Sequence, residues 1–401
     1  MDLETVNFLL SPEGEGLLNK AKNLDGDFLL RLEKLRKEYP SKFASAALEL
    51  LDLRERARRK FVLADRMFFT REALEQSSGE TISKYRAERF CQSGSVFDLG
   101  CGIGGDTLGL ATQCFVTAVE KDPVRLAMAR RNVEVYGFAE RVDFINADVT
   151  EIPLKATAAF IDPSRRDKGQ RARSLADIEP SATFLHHLAN VVSDVAIKLS
   201  PVFKDGELES FDGEIEFISE NGECKEAVIW LGGLKTASRR AIILPSRATL
   251  VDEPVEHVPI RAPAAYIYEP DPCIIRAHLV EQLAHRIGAE KIDEQIAYLT
   301  SDKWVSTPFA DVYHVIDHMP FSLKNINTRL RELDVGKVIV KKRGVPFEPL
   351  EIERRLKLPG SREMLLILTR VAGKPWALIC TQVAKGAESK APAARQGATN
   401  D

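Results

Sequence analysis

A glycine-rich segment that follows a short apolar run is the feature that most constrains the fold of this chain. The segment is Asp98-Leu-Gly100-Cys-Gly102-Ile-Gly104-Gly105-Asp106, and it joins the run SVFDLG to an expected helix over residues 106–113. Glycine lets the backbone turn sharply and approach a ligand without a clash from a side chain. A strand, a glycine loop and a helix in this order predict an α/β fold with a ligand crevice at the carboxyl edge of its sheet.

Strand and helix patterns alternate after this loop. The runs SVFDLG, FVTAVE, VDFINAD, AAFIDP and VAIKLS indicate buried strands, and helical patterns separate most of them. This alternation predicts a doubly wound, mostly parallel sheet. Two later runs, EAVIWL and RRAIILP, are joined by GGLKTAS, which is too short for a crossover helix. We therefore expect these two runs to form an antiparallel hairpin at one end of the sheet.

The flanking regions differ from this central part. Apolar residues recur at helical spacing before residue 90, for example over 41–61, and the Pro-rich stretch 251–265 indicates a boundary. Beyond it, strands are expected at IAYLTS, DVYHVID, VGKVIVKK, EMLLILTRV and PWALICTQV, and helices over 273–287, 324–333 and 349–356. The expected organisation is a helical segment (1–90), an α/β domain (91–250), a smaller α/β domain (264–384) and a disordered low-complexity tail (385–401).

Acidic residues stand at the ends of three successive predicted strands, where they and the glycines should line one crevice. Asp98 precedes the first glycine by two residues, and a carboxylate there repels a pyrophosphate but suits the cationic end of S-adenosylmethionine. Glu120 can accept both ribose hydroxyls, and Asp148 can accept from the adenine amino group. The loop also fits the GxGxxG pattern of dinucleotide sites, so a nicotinamide oxidoreductase stays open as the weakest alternative.

The residues expected to hold the cofactor lie in the loop and at these strand ends. They are Asp98, Gly100, Cys101, Gly102, Gly104, Gly105, Asp106, Glu120, Lys121, Asp148 and Val149. The six cysteines form no CxxC motif and the histidines no HExxH motif, so reduced thiols and no metal are expected.

Three stretches carry a resemblance to known families. DLGCGIGGDTLGLA and VEKDPVRLAMARRNVEVYGFAERVDFINAD resemble class I S-adenosylmethionine-dependent methyltransferases, and more narrowly the trimethylguanosine synthase (RNA cap guanine-N2 methyltransferase) group. With IDPSRR and VGKVIVKKRG, the whole chain resembles bacterial methyltransferase-like proteins with a C-terminal THUMP-like domain. The resemblance implies a seven-stranded Rossmann-like sheet, a ferredoxin-like C-terminal domain, activity in EC class 2.1.1 with S-adenosylhomocysteine as product, and structured RNA as partner.

The segment Asp162-Pro163-Ser164-Arg165 follows the fourth predicted strand. In relatives that methylate amino groups, this place holds (D/N/S)PP(Y/F/W), so the resemblance implies that these four residues present the target. Transfer from a sulfonium depends on positioning, and Asp162 can accept a hydrogen bond from an amine. Ser164 replaces the second proline and Arg165 the aromatic residue, although an arginine also stacks on bases and binds phosphates. Lys198 and Ser200 end the fifth strand and are expected to face the same crevice.

The net charge of −3 conceals two basic segments. Residues 31–71 hold 12 Lys and Arg against 6 Asp and Glu, and residues 335–384 hold 10 against 4, which leaves −15 for the remainder. A basic face gains affinity for nucleic acid by releasing counterions. We expect such a face to form from five residues in the second segment and to bind RNA. They are Lys341, Lys342, Arg343, Arg354 and Arg355.

The prediction is therefore a cytoplasmic S-adenosylmethionine-dependent methyltransferase that acts on RNA, without a signal peptide or a membrane partner. One alternative is a methyltransferase for a small molecule or a protein. Another is an RNA-binding module with a degenerate transferase site, because DPSRR lacks the usual aromatic residue. Phe68, Phe69 and Tyr85 are expected either to pack in a core or to cover the cofactor. These motifs specify neither the methylated atom, the RNA species nor the oligomeric state.

Overall fold

A computed structural model of the protein describes residues 1–165 and 174–383. Arg166, the side chain of Arg165 and the tail that was expected to be disordered lie outside the described residues. The chain divides into two compact units. The first unit contains Met1–Ile218 and Lys225–Arg239, and the second contains Ser219–Cys224 and the chain from Arg240 onward.

The first unit begins with helices, as predicted. Short polar residues cap several of them: Asp2 accepts from the amide of Thr5 at 3.0 Å, and Asp27 accepts from that of Leu30 at 2.9 Å. Their apolar stripes pack together, with Leu17, Ala47 and Leu50 among the fully buried residues. The helices are α1 (Leu3–Leu10), α2 (Pro12–Lys22), α3 (Phe28–Leu35), α4 (Ser41–Ala57), α5 (Arg71–Gln76) and α6 (Glu80–Ala87).

The sheet of the first unit carries the site. Seven consecutive strands of this sheet, which is larger than the seven-stranded sheet expected, follow the order β8-β9-β7-β4-β1-β2-β3, with β1, β2, β3, β4 and β7 parallel and β9 antiparallel to β7. This order confirms the predicted doubly wound sheet. The elements are β1 (Ser95–Leu99), α7 (Gly105–Leu110), β2 (Phe115–Val119), α8 (Pro123–Val135), β3 (Val142–Ile145), β4 (Ala158–Ile161), β5 (Ser164–Arg165), β6 (Ile178–Glu179), α9 (Ala182–Val191), β7 (Asp194–Leu199), α10 (Asp205–Glu209), β8 (Glu214–Glu220) and β9 (Glu223–Trp230).

The predicted hairpin between EAVIWL and RRAIILP is wrong. EAVIWL lies in β9, which pairs with β8 across a two-residue turn at Asn221 and Gly222, both with positive φ. RRAIILP lies in β10 (Arg239–Leu244), which forms its own antiparallel pair with β11 (Ala248–Val251). Strand β8 was not among the predicted strands, and two of its glutamates are completely buried.

The second unit contains another mixed sheet, which confirms the smaller C-terminal α/β domain. Its strands follow the order β13-β14-β12-β15-β18-β17-β16, and β16 and β17 are parallel while the other pairs with given register are antiparallel. The elements are β12 (Tyr266–Pro270), α11 (Pro272–Arg276), α12 (Val280–Ile287), β13 (Glu290–Lys291), β14 (Leu299–Ser301), β15 (Ala310–Pro320), α13 (Leu323–Glu332), β16 (Val335–Lys342), α14 (Pro349–Arg355), β17 (Arg362–Val371) and β18 (Lys374–Gln382).

Both faces of this sheet are covered. Leu366 and Leu368 belong to one apolar cluster and Leu365 and Ile367 to another, which explains the unbroken apolar run in β17. The single helix predicted over 273–287 is wrong, because the chain breaks between α11 and α12 at His278, whose φ is +59°. None of the helices in the described part of the chain combines the length and the apolar character needed to cross a membrane.

Candidate active site

The glycine loop between β1 and α7 turns back across the end of the neighbouring strand. The amides of Gly100 and Cys101 both donate to the carbonyl of Val119, at 2.9 Å each. Gly100, Gly102 and Gly104 have φ values of +84°, +58° and +87°, which favour glycine. A side chain added at Gly102 would meet nothing within 4 Å, so the backbone there faces open space. The loop therefore forms an accessible cradle at the carboxyl edge of the sheet.

The far end of the loop contacts the N-terminal helices. A Cβ atom at Gly105 would lie 3.2 Å from the carbonyl oxygen of Ser78, and one at Gly109 would lie 2.4 Å from that of Ser83. Asp106 accepts from the hydroxyl of Ser78 at 3.2 Å and from the guanidinium of Arg86. The side of α7 that carries Gly105 thus packs on α6, and the carboxylate of Asp106 is held by that helix.

Asp98 is buried beneath the loop. Its carboxyl group is 1% exposed and accepts from the hydroxyl of Thr107 at 2.5 Å. Burial first, and then the neighbouring charge of Asp106, raise the pKa of Asp98 to about 8. A cation placed beside Asp98 would favour its ionised form, so this position suits a positively charged ligand.

Glu120 and Asp148 follow the next two strands. The two oxygens of Glu120 accept from the amides of Gly102 and Asp122, at 2.9 Å each. Each carboxylate oxygen retains a lone pair for a ligand hydroxyl. Asp148 accepts from the amide and hydroxyl of Thr150, which lower its pKa. The structure therefore brings Glu120 into direct contact with the glycine loop, whereas Asp148 lies beyond the end of β3.

The remaining predicted cofactor residues have simpler surroundings. Lys121 is about half exposed, and its ammonium lies 2.6 Å from Glu179 and 3.7 Å from Asp148. Val149 is buried. Cys101 is also buried, which raises the pKa of its thiol well above the ordinary value and keeps the thiol protonated. Lys121 is therefore held by two acids, whereas Cys101 and Val149 are enclosed by protein.

Asp162 and Lys198 form an ion pair at the ends of the adjacent strands β4 and β7. The Lys198 side chain is 14% exposed and that of Asp162 is 31% exposed. Burial raises the pKa of Asp162, although Lys198 opposes this shift. Burial opposes the charge of Lys198, yet the facing carboxylates, Asp162 first, raise the pKa of its ammonium. A Cβ atom at Gly100 would lie 3.6 Å from the carbonyl oxygen of Asp162, so this pair adjoins the glycine loop.

The rest of the predicted target segment has fewer contacts. Ser164 is exposed and donates to the carbonyl of Glu179 at 3.2 Å, in the short pairing of β5 with β6. Pro163 and Ser200 are half-buried. The structure thus brings Asp162 and Lys198 together and leaves Ser164 at the surface.

A buried arginine from the N-terminal helices completes the charge pattern. Arg86 is 2% exposed, donates to Glu226 at 2.6 Å and to Ser78 at 2.8 Å, and lies 5.0 Å from the ring of Phe160. Sequence reasoning missed Arg86 and Glu226, because a charged residue in an amphipathic helix usually indicates a solvated face. Among the described residues that interact with Arg86 and Lys198, the carboxylates outnumber these two cations. They are Asp98, Asp106, Asp162 and Glu226, against Arg86 and Lys198.

This surplus of acidic groups is a test of the cofactor that the sequence implies, because Asp98, whose pKa is raised to about 8, would ionise beside a bound cation. S-adenosylmethionine carries a positive sulfonium and a positive ammonium group, and opposite charges stabilise each other strongly in a buried site. A pyrophosphate would instead meet repulsion from the same acids. The residues present therefore fit a cationic cofactor and not a dinucleotide.

The aromatic residues of the N-terminal segment pack in the core. Phe68 and Phe69 are 3% and 0% exposed, and the hydroxyl of Tyr85 donates to the buried Glu216. Of the two roles considered for these residues, the packing one agrees with their burial.

Three family models match separate parts of the chain. Residues 93–204 match RNA cap guanine-N2 methyltransferase, residues 310–382 match a THUMP domain-like family, and residues 2–57 match a domain of unknown function. The crystal structure of a Porphyromonas gingivalis W83 protein that carries a methyltransferase name covers 96% of this chain with a TM-score of 0.77 at 22% identity, and all of that chain is matched. This likeness supports the fold.

Relatives with curated names are more similar in sequence. A trimethylguanosine synthase of Schizosaccharomyces pombe is 41% identical over 63 residues, which are 16% of this chain and 26% of that protein. An uncharacterised S-adenosylmethionine-dependent methyltransferase of Mycobacterium tuberculosis is 34% identical over 310 residues, which are 76% of this chain and 84% of that protein. The chain thus belongs to the S-adenosylmethionine-dependent methyltransferases, and S-adenosylmethionine is its cofactor.

Proposed function

We propose that this methyltransferase acts on RNA and that Asp162 receives the target amino group of a base. The observation that supports the proposal is that residues 93–204, which match RNA cap guanine-N2 methyltransferase, include Asp162. Its backbone carbonyl oxygen would lie 3.6 Å from a Cβ atom at Gly100, and its carboxylate interacts electrostatically with Asp98 and Asp106. The THUMP domain-like match over residues 310–382 also supports RNA as the partner.

The residues of the crevice divide the work between cofactor and target. The surplus carboxylates, with Asp98 at their centre, hold a cation, while Glu120 accepts from ribose hydroxyls and Asp148 from an adenine amino group. When bound, S-adenosylmethionine supplies a methyl group that is activated by its positive sulfur. The glycine loop lets the backbone approach this group without a side chain in between.

Asp162 positions the nitrogen that receives the methyl group. Its carboxylate accepts a hydrogen bond from the amine, which directs the nitrogen lone pair toward the methyl carbon. A target amine would give up one proton on methylation, and the Asp162 carboxylate is the group of this chain that would accept it. The raised pKa of Asp162 suits a group that takes up this proton. Lys198 holds the carboxylate in place and stabilises its charge between turnovers.

The basic face that the sequence predicted is partly neutralised within the second unit. Lys341 donates to Glu269 at 2.6 Å and to Tyr313 at 2.7 Å, and Arg343 lies 3.4 Å from the same glutamate. Lys342 pairs with Glu348 at 2.5 Å. Arg354 and Arg355, by contrast, are exposed on α14. We propose that these two arginines make the principal RNA contacts and that the three neighbouring cations mainly stabilise the domain.

Methyl-label transfer identifies the substrate class directly. The protein is incubated with labelled S-adenosylmethionine and total RNA from a strain that lacks the gene, and the RNA is digested for nucleoside mass spectrometry. We expect label in one modified nucleoside, and we expect Asp162→Asn to lower its rate of formation by about 100-fold or more while cofactor affinity changes little. Label in a small molecule or a protein, with none in RNA, would refute the proposed substrate.

RNA binding tests the role of α14. The paired substitution Arg354→Glu with Arg355→Glu should weaken binding of transfer or ribosomal RNA and make its salt dependence shallower, because two phosphate contacts are lost. Lys303→Glu with Lys374→Glu reverses the same charge at exposed positions of the same unit outside α14. Equal weakening by both pairs would show that only net charge matters.

A further inference from the structure

A cavity of about 480 Å³ lies among the helices of the first unit, apart from the glycine loop and the ion pair described above. Its volume falls within the range of small-molecule sites, about 300–1,000 Å³. We call it the arginine cavity, because its lining includes five arginines and one lysine. They are Lys22, Arg31, Arg54, Arg58, Arg66 and Arg131.

The cations of the arginine cavity exceed its acids. Glu15, Glu55 and Asp65 are the acidic residues in its lining. Two of these three are engaged by a single arginine, since Arg58 pairs with Asp65 at 2.9 Å and with Glu55 at 2.5 Å. Arg131 pairs with Glu134 at 3.4 Å, outside the lining, and Asp65 also interacts with Lys22 and Arg54. The six cations nevertheless outnumber the three acids of the lining, which favours an anionic ligand.

Two arginines in the wall of the cavity are only partly satisfied. Arg31 donates to the carbonyl of Ala21 at 2.7 Å, but its Nε is buried and has no partner among the described residues. Arg54 donates to the carbonyl of Met67 at 2.9 Å and lies 5.2 Å from the ring of Phe68. Burial, which Asp65 only partly offsets, lowers the pKa of Arg54 to about 10. A second negative group beside Arg54, in addition to Asp65, would offset the free-energy cost of burying the charged guanidinium.

The rim and the floor of the cavity differ in character. Lys22 and Arg66 are exposed at the rim and have no ion pair within the described ranges. Buried apolar residues also line the cavity, among them Leu9 and Phe68, which are 1% and 3% exposed. Guanidinium groups bind phosphate oxygens two at a time and also stack on flat rings. The combination suits a ligand with a phosphate at one end and a flat ring at the other.

We propose that the arginine cavity binds a nucleotide of the RNA substrate, with the phosphate at the cationic rim and the base against the apolar lining. The assignment to RNA rests on the proposed function, whereas nucleotide chemistry rests on the cavity alone. The site would hold the substrate at a second point on the methyltransferase unit, in addition to the group that is methylated.

Calorimetry with the full-length protein tests the site. The probes are GMP, inorganic phosphate and a short single-stranded RNA with a 5′-phosphate. We expect GMP and the RNA to bind, and we expect Lys22→Glu with Arg66→Glu to weaken both by about tenfold or more, as two charge-assisted hydrogen bonds are lost. Both residues are exposed, so the fold should persist, which is checked by unchanged affinity for S-adenosylmethionine.

A matched control separates a site from general attraction. Lys37→Glu with Arg59→Glu makes the same charge change at exposed positions of the same helical segment that do not line the cavity. Equal weakening by both pairs, absence of GMP binding, or inorganic phosphate binding as tightly as GMP would overturn the nucleotide site. Binding of GMP without the RNA would overturn its assignment to the substrate.

The outcomes also separate this inference from the proposed function. If RNA is methylated but the cavity binds neither GMP nor the RNA probe, the inference fails and the function stands. If the cavity binds the probes but no RNA fraction is labelled, the function fails and the assignment of the nucleotide to the RNA substrate fails with it, while the nucleotide site itself stands.

Discussion

The residues of the crevice differ in how far the sequence alone could locate them. Asp98 and Glu120 could be located from the sequence because each ends a strand, and strand ends of a parallel sheet meet at one edge. Arg86 and Glu226 could not, because they are 140 positions apart and only the fold brings them within hydrogen-bond distance. The ion pair between Asp162 and Lys198 lies between these cases, since both residues end predicted strands but the contact itself follows from strand order.

The raised pKa of Asp98 predicts opposite effects of Asp98→Asn on stability and on cofactor binding. In the folded protein the carboxyl group keeps its proton up to a pKa of about 8, whereas the unfolded chain loses it near the ordinary value of 3.8. The unfolded state therefore binds fewer protons between these values, so stability falls as pH rises through this window. Asp98→Asn should remove this decline and raise the melting temperature of the ligand-free protein near neutral pH.

The same substitution should weaken S-adenosylmethionine binding by about tenfold or more, because a negative charge next to a cation is lost. In the unsubstituted protein, affinity should rise with pH up to about 8 as Asp98 ionises. Thermal melting and calorimetry across this pH range measure both effects. Asp143→Asn, at an exposed position of β3, is the control and should change neither. A variant with unchanged affinity would remove Asp98 from the cofactor site.

Lys198 should set the acidic limit of activity. The lysine lowers the pKa of Asp162, and only the ionised carboxylate can accept from the target amine. Lys198→Gln should therefore move the acidic limb of the pH–rate profile to higher pH, whereas Ser200→Ala should not. A profile that falls in height without moving along the pH axis would assign Lys198 a purely structural role.

At the scale of elements, β8 shows how acidic residues can make a buried strand face look solvated in the sequence. Its sequence EIEFISE alternates acidic and apolar residues, a pattern that is typical of a strand with one solvated face. Glu214 and Glu216 are nevertheless 0% exposed, because Arg89 lies within 2.7 Å and 3.4 Å of them. Trp230 donates to Glu216 at 2.8 Å as well. Since these partners come from distant elements, the local pattern indicates a solvated face where the fold buries the glutamates.

Removing the partner of these acids should destabilise the first unit. Arg89→Met would remove a cation from beside two buried carboxylates, and the loss of one member of such a pair costs about 3–5 kcal/mol. Lys42→Met breaks an exposed ion pair with Asp2 and should have little effect. Denaturant unfolding measures both variants. Similar midpoints for the two would show that the acids are satisfied without Arg89.

The packing of α7 on α6 predicts an unusual response to alanine. Gly109→Ala raises helix propensity but places a Cβ atom 2.4 Å from the carbonyl oxygen of Ser83, so we expect a loss of about 1–3 kcal/mol from overpacking. Gly206→Ala in α10 meets nothing within 4 Å and should stabilise the protein by about 0.5–1 kcal/mol. The difference in melting temperature between the two variants checks the contact, and a gain in both would exclude it.

At the scale of the whole molecule, the part that matches a methyltransferase family is smaller than the part that folds. Residues 93–204 match the family model, but the first compact unit begins at Met1. Arg86, outside the matched range, is the buried partner of Asp106 and Glu226. The sheet of the first unit therefore depends on α6, a helix that lies outside the range matched by the methyltransferase family model.

A fragment that begins at residue 91 should for this reason fail to bind S-adenosylmethionine. Asp106 and Glu226 would lose the buried cation Arg86, and the side of α7 that packs on α6 would become exposed to solvent. Full-length protein with Arg86→Met should also fail to bind S-adenosylmethionine. This variant separates the role of the Arg86 charge from that of the deleted helices. Size-exclusion chromatography and calorimetry report on both. A soluble fragment with full cofactor affinity would contradict this dependence.

The close approach of α6 and α7 also limits how this enzyme can be recombined with its relatives. Gly109 leaves no space for a side chain and Gly105 very little, because the backbone of Ser83 and Ser78 lies against them. A glycine loop grafted from a protein with a more distant N-terminal helix would carry side chains into that backbone. The exchangeable part is the loop together with both helices, so a chimera built to alter cofactor or target preference has to be joined before Ser77 rather than at the glycine motif.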